Sequence, residues 1–337
     1  MSQHQVQPKL IIHGGAGSSL KGKGGAEAIR RLLYDILNRV YSALTSGMGA
    51  EEAVVLGCQL LEDEPRFNAG TGSVLQSDGQ IRMSASLMSG MAQRFSGVIN
   101  VSRIKNPIYV AQVLQQEADR VLSDEGAAQL VRELQLPIYD PLVELRLQEW
   151  LQERQGNFQK SMAGVVAEQE LGVGGDRPSS ESQPSALPFE QGRGTIGVVV
   201  LDAQGRLAAG TSTGGKGFER IGRVSDSAMP AGNYATLHAA VSCTGIGEDI
   251  IDECLAPRIV VRVTDGLSLH QAFERSLREA HQHQCDLGAI GIDQGGAIAW
   301  GKTSEVLLAA YHTGEQIGDT LELPVGLQVG QAIAPVV

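Results

Sequence analysis

The chain has 337 residues, room for one large domain or two ordinary ones. Its formal net charge of −11, with no basic run to override it locally, repels phosphate backbones and anionic membranes and argues against nucleic-acid and membrane-surface partners. Aromatics at 4% leave the core to aliphatic and small side chains, and 42 glycines, many in short clusters, point to tight turns and close backbone approaches.

Residues 9–13 read as a short buried strand running into Gly14-Gly15-Ala16-Gly17. Over 26–45, Ile29, Leu32, Leu33, Ile36, Leu37, Val40 and Leu44 recur at helical spacing and predict an amphipathic helix. A second helix over 50–61 halts before Pro65, and the turn-rich Phe67-Asn68-Ala69-Gly70-Thr71-Gly72 follows. Residues 73–101 alternate strand-like runs with Gly and Ser breaks, and 107–122, 126–134 and 141–153 read as helices. From about 155 to 193 Gly, Ser, Gln, Pro and Glu dominate, with little to offset the entropy of ordering a chain. So long a structureless stretch is either a linker between domains or an exposed tail that becomes a chain end after cleavage.

Beyond it, 195–202 is a strand rich in β-branched residues, with 206–211 its hairpin partner. Residues 239–243 are strand-like, and 248–263 and 268–281 read as helices, the second with Ser268 and Gln271 at capping-box spacing. Residues 286–292 and 297–300 read as paired strands, and 307–312 as a further one. Strands in hairpins rather than in repeated strand–helix units predict an α+β fold of mainly antiparallel sheet with helices on its faces.

Six segments could carry chemistry. A polar stretch ends at Gly194, and Thr195 opens a strand that Gly197 interrupts, which suggests close approach by another group. Cut before Thr195, the chain would present a hydroxyl beside a free α-amine whose ordinary pKa is roughly 7.7–8.0, a nucleophile carrying its own base. Gly194 leaves its carbonyl open to attack by that hydroxyl. His13-Gly14-Gly15-Ala16-Gly17 lacks the Lys-Ser/Thr of a phosphate loop. The 67–72 turn is the third segment, and Thr211-Ser212-Thr213-Gly214-Gly215 sets hydroxyls at a strand end. Arg223 and Asp226, three apart, form either an ordinary surface ion pair or a clamp for a zwitterion. Ser242-Cys243-Thr244-Gly245-Ile246-Gly247-Glu248 ends a strand and opens a helix, a place suited to a developing oxyanion.

In this order the six segments resemble the plant-type asparaginase / isoaspartyl peptidase family of N-terminal-nucleophile (Ntn) hydrolases, from Leu10 to about Gly318. The resemblance implies a four-layer αββα sandwich of two mainly antiparallel sheets. It implies one domain over 1–337, cut into 1–194 and 195–337, with two cleaved protomers forming a dimer. Thr195 looks like the nucleophile and Thr213 like the threonine that holds and tunes it. Thr244 and the Gly245 amide look like the oxyanion hole. Arg223 and Asp226 look like the clamp on the aspartyl end of the substrate, and Gly247 like a backbone contact to its amine. Asn68 is similar to an asparagine near the cleavage site. A structural sodium ion is implied in the loop of Leu61, Glu62, Glu64, Phe67, Ala69 and Thr71, held mainly by backbone carbonyls, with no cofactor for catalysis. The implied substrates are L-asparagine and β-aspartyl (isoaspartyl) dipeptides.

The chain departs from the family pattern Asp-Ala-Ser-Ile-Met-Asp-Gly, where Ser84 and Ser89 replace both aspartates, and from Gly-Ala-Val-Ala, which is Ser96-Gly97-Val98-Ile99. Both stretches read as lying outside the catalytic segments. Glycosylasparaginase, on the same scaffold, usually has Asp before its threonine; Gly194 favours the plant type. An uncleaved binding scaffold is the alternative from another class. The four cysteines Cys58, Cys243, Cys254 and Cys285 show no metal or redox spacing, and His13 reads as a structural histidine. The opening residues contain no apolar signal-peptide stretch, so the expected location is the cytoplasm.

Overall fold

A computed structural model describes residues 6–17, 25–156 and 194–332. Most of the polar tail read from the sequence, 157–193, lies outside the described residues. Strand β1 is Lys9–Gly17, followed by helices α1 (Gly25–Thr45) and α2 (Ala50–Glu62). The hairpin β2 (Met83–Ser89) and β3 (Arg94–Val101) leads to α3 (Pro107–Leu114), β4 (Val121–Ser123), α4 (Asp124–Glu133) and α5 (Glu144–Gln155). A second hairpin, β5 (Thr195–Leu201) and β6 (Leu207–Thr213), precedes a 3-10 turn at Asp226–Ala228 and strands β7 (Asn233–Ala235) and β8 (Ala239–Gly245). Helices α6 (Gly247–Glu253), α7 (Leu255–Thr264) and α8 (Leu269–Gln282) follow. Strands β9 (Leu287–Asp293), β10 (Ile298–Lys302), β11 (Val306–His312), β12 (Ile317–Asp319) and β13 (Gln328–Ala332) complete the order.

The strands form two sheets, β12-β11-β1-β5-β6-β2-β3-β4 and β13-β10-β9-β8-β7. Every pairing is antiparallel except β3 with β4. Period-two alternation sends each strand's residues to opposite faces. On β5, Ile196, Val198 and Val200 join the core under α1, α2 and α3, while Val199 and Leu201 face the second sheet. On β8, Val241 and Cys243 pack under α7 and α8, while Ala240 meets Val199 and Ile11 between the sheets. Three apolar layers therefore separate four structural ones, and the fold is the α+β, four-layer αββα sandwich expected from the sequence.

Two predicted helices come out differently. The 107–122 helix ends at Leu114, because Gln115 turns its amide into the sheet. Its Nε2 donates to Leu87 O, Arg94 O and Ser96 Oγ, and the chain then runs on as β4. The 248–263 helix is two, α6 and α7, hinged at Cys254 with φ 47°. Pro257 explains the break: it has no amide proton for an i−4 carbonyl, and restarting at Leu255 places it in a first turn, where none is needed. The capping box at Ser268 and Gln271 forms as predicted.

Two buried ionisable groups hold the fold together. Lys302, fully buried, donates Nζ to the carbonyls of Ser304, Glu305 and Pro324 at 3.1, 2.9 and 2.7 Å, pinning the loop before β13. Glu62, at the end of α2, accepts from Ser212 Oγ at 2.6 Å and from Ile108 N at 3.1 Å, joining α2, β6 and α3. Burial pushes the Glu62 carboxyl up to about 8, so at neutral pH it is mostly protonated in the fold. An acid whose folded pKa lies above its unfolded one contributes stability that is full below the unfolded value and is lost as pH rises through the folded one. Glu62→Gln should therefore match the parent's melting temperature at acid pH and exceed it by several degrees at about pH 9. Thermal unfolding across that range checks this; parallel curves would rule it out.

Candidate active site

The face between the sheets changes character along its length. At one end it is apolar: Ile11, Val199, Leu201, Leu207, Ala209, Met88 and Ala240. Continuing along the same strands at the same alternation, it becomes polar: His13 on β1, Thr195 on β5, Thr211 and Thr213 on β6, Ser84 and Ser86 on β2, Ser242 and Thr244 on β8. All are buried. Buried hydroxyls are costly unless hydrogen-bonded, and these are bonded to one another and to the backbone.

Thr195 stands at the first position of β5, directly opposite Thr213, and its Oγ1 donates to Thr213 Oγ1 at 3.3 Å. The Thr213 hydroxyl also accepts from Gly215 N at 3.1 Å. Asn68 braces this strand end. Its carbonyl accepts from Gly214 N at 2.8 Å, its Nδ2 donates to Gly215 O at 2.7 Å, and its Oδ1 accepts from Val74 N at 3.0 Å. Gly194 lies against both loops: a Cβ there would be 3.4 Å from Asn68 Cβ and 3.9 Å from Gly14 O.

Gly197 makes room for a bridge between the sheets. A Cβ on it would lie 2.1 Å from Ser242 Oγ and 2.3 Å from His13 Nε2, so the close approach suggested by the sequence is real. Through that gap His13 Nε2 and Ser242 Oγ meet at 3.0 Å, and Ser242 Oγ and Thr211 Oγ1 at 2.7 Å. Burial holds the His13 imidazole down to about 3, with the Thr195 backbone pulling the other way, so it stays neutral. Two residues on, Thr244 Oγ1 accepts from Ala16 N at 3.0 Å, which leaves its own proton available to donate. Gly245 follows at φ 133°, where a Cβ would lie 2.5 Å from Asp286 O.

Arg223 and Asp226 converge on Gly247. A Cβ there would meet Arg223 Nη2 at 2.6 Å and Asp226 Oδ1 at 2.8 Å. They form no ion pair with each other; Arg223 is paired with Glu248 instead. Asp226 Oδ1 accepts from Ser225 Oγ at 3.1 Å, while buried Oδ2 has no hydrogen-bond partner. Burial pushes Asp226 up to about 6, against the pull of Arg223. Glu219, likewise buried and raised by burial, has an unmatched Oε2.

The profile of the asparaginase family matches residues 6–322. The chain belongs to that family. It is 69% identical to an isoaspartyl peptidase/L-asparaginase of Nostoc sp. over 97% of this chain and 98% of that one. It is 62% identical to a protein of the same name from Synechocystis sp., over 97% and 94%. A plant-type L-asparaginase of Pyrococcus abyssi is 34% identical over 90% and 95%.

In this asparaginase-family chain one expectation needs correcting. Ser84 does not lie apart from the predicted site: it is directly opposite Thr213 on β2, extending the row Thr195–Thr213. Its Oγ accepts from Asn100 N at 3.2 Å, a bond a short hydroxyl can make. Ser89, at the far end of the strand, caps the turn at Ala92 N. Sequence reasoning gave Ser242 and Glu248 no role of their own, although both lie in the segment read as suited to an oxyanion, and it missed Glu219, which lies in no motif; the period-two spacing of Ser242 from Thr244 hinted at a shared face. Gly197→Ala should overpack this bridge, lowering stability by about 1–3 kcal/mol and cutting activity sharply. Thermal unfolding beside a hydrolysis assay checks this, and a variant with unchanged melting temperature would refute it.

Proposed function

We propose that the chain is an autoproteolytically activated N-terminal-threonine amidohydrolase acting on L-asparagine and on β-aspartyl dipeptides. The observation that carries the reading is the buried Thr195 hydroxyl, bonded to Thr213 at a strand end beside Gly194. In the cut, Thr195 Oγ attacks the Gly194 carbonyl, the Gly194–Thr195 amide is exchanged for an ester, and water hydrolyses that ester. The products are 1–194, ending in a carboxylate, and 195–337, beginning with a free amine.

The new amine then takes the proton from its own hydroxyl as Oγ attacks the substrate's side-chain amide carbonyl. The Thr244 hydroxyl and the Gly245 amide stabilise the oxyanion. Collapse expels ammonia, or the amino acid of a dipeptide, with a proton returned by the amine. Water then cleaves the acyl ester and releases L-aspartate. Thr213 holds the nucleophile's oxygen throughout. Arg223 takes the substrate α-carboxylate, Asp226 takes its α-ammonium on Oδ1, the oxygen that faces Gly247, and Gly247 lets both approach. Asn68 steadies the loops around the scissile bond.

The loop Leu61–Thr71 suits a sodium ion bound by carbonyls. The Glu62 and Glu64 side chains are committed to Ser212 and Arg66, while Gly72 draws the carbonyls of Pro65 and Phe67 inward. The donors would be the carbonyls of Leu61, Glu62, Glu64, Phe67, Ala69 and Thr71, at the negative end of α2. The ion would brace the turn leading to Asn68. No helix among the described residues is long and apolar enough to cross a membrane. We place the enzyme in the cytoplasm as one domain, working as a dimer of cleaved protomers.

The intact mass of the purified protein tests the cut. Two fragments, 1–194 and 195–337, are expected, with Thr195→Ala remaining whole. A parent chain that stays uncut after prolonged incubation would favour a non-catalytic scaffold. The clamp has its own test. Asp226 must be ionised to hold an ammonium, so below the limb set by the Thr195 amine kcat/KM should show a second, steeper fall as pH drops through about 6. Asp226→Asn should lose most activity and that second fall; a parent profile with no second fall near pH ~6 would count against Asp226.

A further inference from the structure

The Arg223 guanidinium donates from Nε to Glu248 Oε1 at 2.9 Å and from Nη2 to Glu248 Oε2 at 3.1 Å. This two-point grip uses one planar edge of the guanidinium and leaves the Nη1–Nη2 edge able to take a second carboxylate. Glu248 follows Gly247 directly and lies three residues past Gly245. The turn that carries Thr244 and Gly245 therefore also carries the group that holds Arg223.

The arrangement needs such a group. Arg223 and Asp226 both come up against Gly247, close enough for a rotamer change to pair them, yet they stay apart. Asp226, whose Oδ1 faces Gly247 beside Arg223 Nη2, and Glu219 are both buried, each with one oxygen lacking a hydrogen-bond partner, and both attract Arg223. A long, rotamer-rich side chain beside two partly satisfied carboxylates would collapse onto one of them. Pairing with Asp226 would consume the acceptor for the substrate's ammonium and the donors for its carboxylate in a single step.

We propose that Glu248 is a positioning residue for substrate binding: it holds Arg223 off Asp226 and keeps the clamp open. This rests on reading Arg223 and Asp226 as that clamp. Glu248 touches no reacting atom. It sets where the free edge of Arg223 stands relative to Thr244 and Gly245, so that a substrate held at its α-carbon presents its amide to Thr195.

The test is steady-state hydrolysis of L-asparagine by Glu248→Ala, Glu248→Gln and Glu248→Asp, with Arg223→Ala as control and intact mass as the check on self-cleavage. All three Glu248 variants should cut themselves, since the clamp plays no part in the cut. The Ala and Gln variants should raise KM about ten-fold with kcat changed less than about threefold, and Asp should recover part of the loss. The second acid fall of kcat/KM adds a readout that lost packing would not move. Arg223, Glu248, Ser225 and Cys243 are the polar or titratable groups acting on Asp226, and Glu248 opposes its ionisation. Removing that charge, and letting Arg223 close on Asp226, should both shift that fall to lower pH. An unchanged KM with Arg223→Ala impaired would overturn the role of Glu248 alone; an unchanged KM in Arg223→Ala as well would sink the clamp itself. A KM that falls would mean that Glu248 competes with substrate for Arg223, and would also overturn the proposal. Should the Ala variant fail to fold, the near-isosteric Gln variant decides.

Discussion

Two sheets meet face to face, and at one end of that face the side chains between them are hydroxyls instead of hydrocarbons. The active-site geometry depends on keeping those hydroxyls buried and satisfied. The joint is the contact of His13 with Ser242 through the space over Gly197. It ties β1 of the larger sheet to β8 of the smaller one next to Thr195, and Ala16 with Thr244 repeats the tie two residues further along β8. A neutral imidazole suits this place because a charged one would have to be desolvated without a counter-ion. The apolar remainder of the face supplies the adhesion that keeps the polar end dry.

Dryness matters to the chemistry. The Thr195 hydroxyl, the Thr213 hydroxyl and the Gly215 amide form one chain of hydrogen bonds at the mouth of a strand pair. A rigid antiparallel ladder holds Thr195 in register more firmly than a loop would. Ser84 lengthens the row by one strand as a neutral hydroxyl bonded to the backbone of β3, so it adds no charge beside Thr213.

Charge is concentrated instead around the neighbouring Arg223 and Asp226. Arg223 stands among Glu219, Asp226 and Glu248, an excess of carboxylate over cation in a mostly buried place. Burial raises Asp226 and Glu219, while the pairing with Arg223 keeps Glu248 low. An excess of this sign welcomes an ammonium, and it accepts a carboxylate only where the free edge of Arg223 is turned outward. A small zwitterion would meet both demands.

The candidate residues were legible in the sequence because each sits in a local signal. Thr195 follows a polar stretch and begins a β-branched run, Gly197 interrupts that run, and Thr244-Gly245 closes another strand. Apolar and β-branched runs between turn residues were enough to predict most strands, and Pro257 carried the signal for the helix break that periodicity alone passed over. The sequence by itself determined the α+β class of fold and the candidate segments, since these follow from residue type and short-range spacing; that those segments come together was implied by the family resemblance alone. Only the tertiary structure decided that Ser84 stands opposite Thr213, that Ser242 bridges to His13, and that Arg223 pairs with Glu248 rather than with Asp226 three residues away. The reason is physical: register across a sheet, the approach of two sheets, and the choice among competing carboxylates are set by packing between distant segments, which local spacing does not encode.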